Sequence, residues 1–199
     1  MVTIDEMRAA LLRESREREI IRDRPKVYGR FGEIVVEAWL RERQHLEVLP
    51  FPQTPETKSD YLEGFGKRPD FMVCVPPQDG SGADTLVLMD AKFHTLDSSE
   101  RFWIGASEMR LYDSAMAEWQ AIWLFFAVID ARAPNALHFV ERREMVLNAD
   151  LDQWEYRLNS IPDRCELISQ EDLARAVDRL AREGYDNSLL PFGFRSASE

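Results

Sequence analysis

The sequence predicts a mixed α/β domain in which helices cover a central sheet, and three observations indicate this class. The chain has 199 residues, 45% of them hydrophobic, with 9 Gly and 10 Pro, a profile typical of one globular domain. Apolar segments at 71–75, 86–89 and 121–129 have the length of strands. Segments of helical character precede and follow them, and this alternation is typical of helices packed on a sheet.

The elements are predicted in the order helix, strands, helix, strand, helix. Residues 4–24 form a charged helix that Pro25 ends, because the residue before a proline avoids the α region. The further predictions are a helix over 28–43, a loop over 50–66 that is long enough to be functional, a hairpin of 71–75 and 86–89, a helix over 98–119, strands at 121–129 and 136–140, and helical segments near 150–158 and 170–183. We divide the chain into a charged extension 1–27, a core 28–145 and a C-terminal helical elaboration 146–199.

Charge and cysteine usage exclude several classes of protein. The net charge is −11, so the chain does not coat nucleic acid through bulk positive charge. Residues 1–44 carry ten Lys or Arg against nine Asp or Glu, whereas the remaining residues carry 15 against 27. The two cysteines form no CxxC pair, which favours a reducing, cytoplasmic location. The N-terminus does not resemble a secretory signal, and the longest apolar run is about half of the roughly 20 residues that cross a membrane.

The hairpin predicts where two carboxylates lie. If its turn is centred on Gly80, opposed residues have numbers that sum to 160, so Asp70 faces Asp90 and Lys92 points to the same side as Asp90. Two carboxylates this close repel unless a proton or cation lies between them, and Mg²⁺ prefers such oxygen ligands. A bulge of one residue would shift the register and separate the pair.

The helix predicted over 28–43 contributes further acids. It is apolar nearly all round, apart from a narrow polar stripe of Arg30, Glu33, Glu37 and Arg41. The two glutamates therefore either pair with the arginines three or four residues away or point into a site. For these glutamates considered alone, pairing is the favoured interpretation.

In order along the chain, these residues resemble the signature of the PD-(D/E)XK nuclease superfamily, which includes restriction enzymes, Holliday-junction resolvases and RecB-like nucleases. The elements that carry the resemblance are the segment Gly29–Glu33, the pair Pro69–Asp70 and the triplet Asp90–Lys92. It spans roughly residues 29–129 and implies a restriction-endonuclease-like core with a mixed central sheet flanked by helices.

The resemblance also implies roles for these residues. Asp70, Asp90, the main-chain carbonyl of Ala91 and Glu33 would hold Mg²⁺, or Mn²⁺ as a substitute, with Glu37 as the alternate to Glu33. Lys92 would orient or activate the attacking water. Catalysis would therefore depend on Lys92, Asp90, Asp70 and Glu33.

Three residues are predicted to contact substrate. Some RecB-like relatives carry a QxxxY motif on the next helix, and here Glu108 and Tyr112 have that spacing with glutamate in place of glutamine. Tyr112 also lies on an apolar helical stripe, so a core tyrosine with its hydroxyl at the edge remains an equal interpretation. Arg30 belongs to the N-terminal basic residues that would contact phosphates.

The sequence lacks the motifs of zinc hydrolases and of nucleotide-binding proteins. His45, His94 and His138 show no HxH or HExxH spacing, so a zinc hydrolase is not indicated. His94 follows Lys92 by two residues, but a satisfied histidine at a strand edge is favoured over a site residue. There is no GxxxxGK[ST] phosphate-binding motif.

The sequence therefore predicts a metal-dependent nuclease acting on DNA. One alternative is a catalytically inactive nuclease-fold module that binds nucleic acid or a partner protein. The other is a structural protein in which Asp70, Asp90 and Lys92 form a buried charge cluster, an energetically costly arrangement. Substrate structure, sequence specificity, biological role and oligomeric state, including a homodimer, stay open.

Overall fold

A computed structural model describes residues 4–50, 69–77, 82–94, 100–158 and 164–190, with the side chains of its first helix described from residue 23 onward. The elements are α1 (Ile4–Arg41), β1 (Glu47–Pro50), β2 (Phe71–Val75), β3 (Thr85–His94), β4 (Arg101–Gly105), α2 (Ala106–Glu118), β5 (Trp123–Asp130), β6 (Ala133–Glu141), β7 (Val146–Asn148), β8 (Gln153–Arg157), β9 (Cys165–Leu167) and α3 (Gln170–Arg182), with 3₁₀ turns at Arg142–Glu144 and Asn187–Leu189.

The described strands form two sheets. The larger has the order β1-β2-β3-β5-β6-β9, in which β3 and β5 run parallel and the other neighbours run antiparallel. The smaller sheet is antiparallel, with the order β4-β8-β7. The predicted class, a mixed central sheet flanked by helices, is confirmed.

The large sheet separates two apolar cores. One lies under α1 and α3, where Phe31 packs with Ala91 of β3 and Leu173. The other lies under α2 and the small sheet, where Tyr112 packs with Leu88 of β3. Because strand side chains alternate between faces, Asp90 and Lys92 share the face of Leu88, toward α2.

The predicted helix break at Pro25 is wrong. The helix α1 continues through that proline for 38 residues. A proline inside a helix costs about 3 kcal/mol because it removes a backbone hydrogen bond and clashes with the preceding turn. The segment that follows offsets this cost by burying Val27, Phe31 and Ile34 against the sheet. Despite the length of α1, no helix in the described ranges is apolar enough to cross a bilayer.

The helix predicted over 98–119 is correct only in its second part. Arg101–Gly105 is strand β4, and helix α2 begins at Ala106. Along β4, Phe102 and Ile104 are buried while Arg101 and Trp103 are exposed, which is the period of two of a half-buried strand.

The helical segment predicted near 150–158 is also wrong, because Gln153–Arg157 is strand β8 between β4 and β7. The predicted hairpin strands, the strands at 121–129 and 136–140 and the helix at 170–183 are confirmed as β2 with β3, β5, β6 and α3. The predicted loop over 50–66 falls almost entirely outside the described residues, apart from Pro50, which ends β1.

Candidate active site

The register of β2 and β3 agrees with the pairing inferred from the sequence. Phe71 lies opposite Met89, and every pair along the ladder sums to 160. Asp70 directly precedes β2 and is therefore aligned with Asp90. The main-chain N–H of Ala91 donates a hydrogen bond of 2.8 Å to Asp70 Oδ2, which holds this carboxylate beside β3.

Both aspartates are buried, Asp70 with 8% and Asp90 with 2% of its surface exposed. Burial raises the pKa of Asp70 well above its ordinary range, and the negative charges of Asp90 and Glu33 raise it further. The hydrogen bond from Ala91 and the positive charge of Lys92 act in the opposite direction on that pKa. The site therefore concentrates negative charge in a medium that solvates it poorly, a condition that a proton or a cation relieves.

Lys92 lies at the centre of a polar network. Its Nζ is 2.8 Å from Asp90 Oδ2, 2.9 Å from the Tyr112 hydroxyl oxygen and 3.2 Å from Glu108 Oε1. The contact with Asp90 is an ion pair without the angles of a hydrogen bond, so among the described residues Asp90 Oδ2 is a buried acceptor that receives no hydrogen bond.

Tyr112 is fully buried, and its ring packs edge-on against Phe126 with centroids 5.1 Å apart. Its hydroxyl accepts the hydrogen bond from Lys92. Burial raises the pKa of Tyr112, and the charge of Asp90 and a hydrogen bond with that carboxylate raise it further. The Tyr112 hydroxyl thus holds the Lys92 ammonium through this hydrogen bond of 2.9 Å. The other member of the predicted pair, Glu108, lies at the rim with 38% of its side chain exposed.

The charge of Glu33, on α1, raises the pKa of Asp70. The Oε2 of Glu33 accepts a hydrogen bond of 2.7 Å from Arg30 Nη1. Through Nε and Nη2, the Arg30 guanidinium also donates two hydrogen bonds, of 2.6 and 2.9 Å, to Glu183 just beyond the end of α3. Arg30 thus connects Glu33 of α1 to Glu183 at the end of α3.

Glu37 has a different environment although it lies one turn later on the same stripe. It is 7% exposed, it accepts a hydrogen bond from Arg41, and its Oε2 lies 2.8 Å from Arg179 Nη1 of α3. Its charge is therefore balanced by two arginines within the fold.

The residues present fit a magnesium ion. Within the described ranges, no three Asp, Glu, His or Cys side chains are close enough to form a metal cluster. Mg²⁺ usually binds through one or two carboxylates together with water and substrate phosphates, so two carboxylates are sufficient. Asp70 and Asp90 supply this pair, and the buried Asp90 Oδ2 is an acceptor of the kind that such a cation uses.

Glu183 and Arg179 belong to this environment but were not predicted from the sequence. Their i, i+4 spacing on one helix was visible in the sequence, and the two side chains do pair at 3.0 Å. Their contacts with Arg30 and Glu37, about 150 positions earlier, follow from the docking of α3 on α1 and leave no local signal.

No protein-family model and no curated protein matches the chain. Among solved structures, it is similar to Hjc, a Holliday junction resolvase from the hyperthermophilic archaeon Archaeoglobus fulgidus. The TM-score is 0.44 at 14% sequence identity, and the match covers 71% of this chain and 94% of that chain.

Proposed function

We propose that this protein is a metal-dependent nuclease that hydrolyses phosphodiester bonds in DNA. The observation that carries the proposal is the meeting of two buried carboxylates with one anchored ammonium group. Asp70 is held beside Asp90 by the Ala91 N–H, and Lys92 lies 2.8 Å from Asp90. The order of these residues along the chain, which resembles that of PD-(D/E)XK nucleases, supports the same conclusion.

Asp70 and Asp90 would hold Mg²⁺, or Mn²⁺ in its place. By the resemblance, the main-chain carbonyl of Ala91 and the carboxylate of Glu33 would complete the set of oxygen ligands. A bound divalent ion supplies positive charge to phosphate oxygens and lowers the pKa of a water bound to it.

Side chains of the protein itself would position the phosphate and the attacking water. The Lys92 ammonium is held by Tyr112 and Glu108, so it presents a fixed positive charge to a phosphate and a donor to the attacking water. With 17% of its side chain exposed, it is largely screened from solvent, which strengthens both effects. Arg30 donates a hydrogen bond of 2.7 Å to Glu33 and would orient that carboxylate as a metal ligand.

A catalytically inactive module that binds nucleic acid is the second candidate, and one observation favours it. The ammonium of Lys92 already pairs with Asp90 and Glu108, so the cluster is partly neutralised without any ligand. In such a module, substitution of these residues would alter stability without affecting any cleavage.

A cleavage assay with labelled DNA tests the proposal on duplex, branched, nicked and single-stranded substrates. We expect products with Mg²⁺ or Mn²⁺ and none in chelator or with Ca²⁺, whose larger and more flexible coordination does not organise the attack. Asp70→Asn and Asp90→Asn should abolish turnover because each removes a metal ligand.

Asp113→Asn is the matched control, because Asp113 lies on α2 and pairs with Arg142 outside the site. Cleavage in chelator, or an Asp90→Asn variant as active as the parent, would contradict the proposal. DNA binding without cleavage of any substrate would favour the inactive module.

A further inference from the structure

The small sheet presents an exposed surface that the proposed chemistry does not use. We call it the β4–β8 face and define it as Arg101, Trp103, Glu155 and Arg157. Arg101 and Trp103 alternate with the buried residues of β4, and 46% of Trp103 is exposed. Trp103 lies opposite Glu155, and Arg101 lies opposite Arg157, so the four side chains share one side of the sheet.

The two arginines of this face, Arg101 and Arg157, lie directly opposite each other. Like charges directly opposite each other on antiparallel strands destabilise the sheet. Glu155 supplies a negative charge beside Arg101: its Oε2 is 3.0 Å from Arg101 Nη1, and its Oε1 accepts hydrogen bonds from Asn148 and Gln153. The face thus combines two positive side chains, one negative side chain and an exposed indole, on a chain whose net charge is −11.

The β4–β8 face adjoins the candidate active site through His94. The rings of His94 and Trp103 meet edge-on with centroids 5.8 Å apart, and His94 also contacts Phe102. His94 lies two residues beyond Lys92 on β3, on the same side of the strand. A ligand resting on Trp103 would therefore be separated from Lys92 by one side chain.

We propose that the β4–β8 face binds the substrate strand next to the cleaved bond, with an unpaired base stacked on Trp103 and its phosphates near Arg101 and Arg157. This inference rests on the proposed nuclease function and specifies its substrate as DNA with a single-stranded or unpaired segment. A base inside a duplex has both faces covered by its neighbours, whereas an unpaired base can stack on an exposed aromatic ring. The two arginines complement the charge of a nucleic-acid backbone.

Binding of a fluorescein-labelled single-stranded oligonucleotide in chelator tests this inference without cleavage. Trp103→Ala should weaken binding about tenfold or more, the effect expected when one stacking aromatic is removed. Trp103→Phe should retain most of the affinity, because it keeps an aromatic ring. The control is Leu147→Ala on strand β7, 47% exposed in the parent, which should leave binding unchanged.

Tryptophan emission supplies a second readout. The difference in emission between the parent and the Trp103→Phe variant isolates the emission of Trp103. The single strand should quench the emission of Trp103, and the blunt duplex should quench it much less. The inference would be overturned if Trp103→Ala bound single strands as tightly as the parent, or if the parent bound no single strands. It would also be overturned if Trp103→Ala lost as much affinity for the blunt duplex as for the single strand.

The two proposals fail separately. If Asp90→Asn abolishes cleavage but Trp103→Ala binds single strands as tightly as the parent, the nuclease proposal stands and the stacking surface is wrong. If Trp103 is required for binding but the parent cleaves no DNA, the stacking surface stands and the nuclease proposal is wrong.

Discussion

Glu33 and Glu37 show how residues of one type, a single helical turn apart, acquire different chemistry. Among the described residues, Glu33 pairs with Arg30, which also binds Glu183, and the charge of Glu33 raises the pKa of Asp70. Glu37 is balanced by arginines from two helices. The charge of Glu37 is thus compensated within the fold, whereas the charge of Glu33 acts on Asp70.

Metal affinity separates these two glutamates. We expect Glu33→Gln to weaken Mn²⁺ binding by about tenfold or more, as loss of a ligand or of its supporting partner commonly does. Glu37→Gln should leave Mn²⁺ affinity unchanged but lower the melting temperature, because it leaves Arg179 without its buried partner. Isothermal titration and thermal unfolding measure the two effects, and a loss of affinity confined to Glu37→Gln would reverse the assignment.

The pairing of β2 with β3 was predictable because a hairpin is a local structure. The alignment of Asp70 with Asp90 follows from turn position and strand alternation, and the observed register agrees with both. The contact between Lys92 and Tyr112 was not predictable in this way. It depends on how α2 packs over β3, and the sequence left the role of the tyrosine open between core packing and substrate contact.

Among the helices and strands, a continuous periodic pattern of apolar residues led to a correct prediction, whereas a mixed pattern did not. The helix α3 has a continuous apolar stripe of Leu173, Ala176, Val177 and Leu180, all buried, and it was predicted nearly to its ends. The strand β4 is followed directly by α2, so the predicted helix wrongly included the five residues of β4. Pairing with β8, about 50 positions later, stabilises β4 as a strand.

The docking of α3 on α1 predicts a pH dependence. The hydrogen bonds from Arg30 lower the pKa of Glu183, and those from Arg179 lower it further. A carboxylate whose pKa is lower in the folded state stabilises that state above its unfolded value of about 4.3, and this contribution is lost as the pH falls through the lower folded value.

Glu183→Gln should therefore reduce the free energy of unfolding by about 1 kcal/mol at pH 7, the upper range for a solvent-screened pair, and by less at pH 3. Urea unfolding of parent and variant at both pH values measures this. Glu171→Gln, on the same helix with its side chain 80% exposed, should change little at either pH. An equal effect of Glu183→Gln at both pH values would show that its charge does not hold the helices together.

For the whole molecule, the central feature is the position of β3 between two packed layers. One face of β3 is covered by α1 and α3, which supply Glu33 and its partners, and the other by α2, which supplies Tyr112 and Glu108. The site thus requires both cores to be formed. The sequence predicted the sheet and its helices, but which layer supplies which side chain follows from tertiary packing.

The proposed mechanism requires Lys92 for the rate of DNA cleavage and not for metal binding. Variants of Lys92 therefore give the most direct test of the central claim. Mn²⁺ affinity and the single-turnover rate of DNA cleavage should be measured on the same preparations of parent, Lys92→Ala and Lys92→Gln. We predict that both variants bind Mn²⁺ at least as tightly as the parent, since a competing positive charge beside Asp90 is gone, and cleave about 10²–10³ more slowly. A Lys92→Ala variant that binds metal and cleaves as fast as the parent would contradict the mechanism.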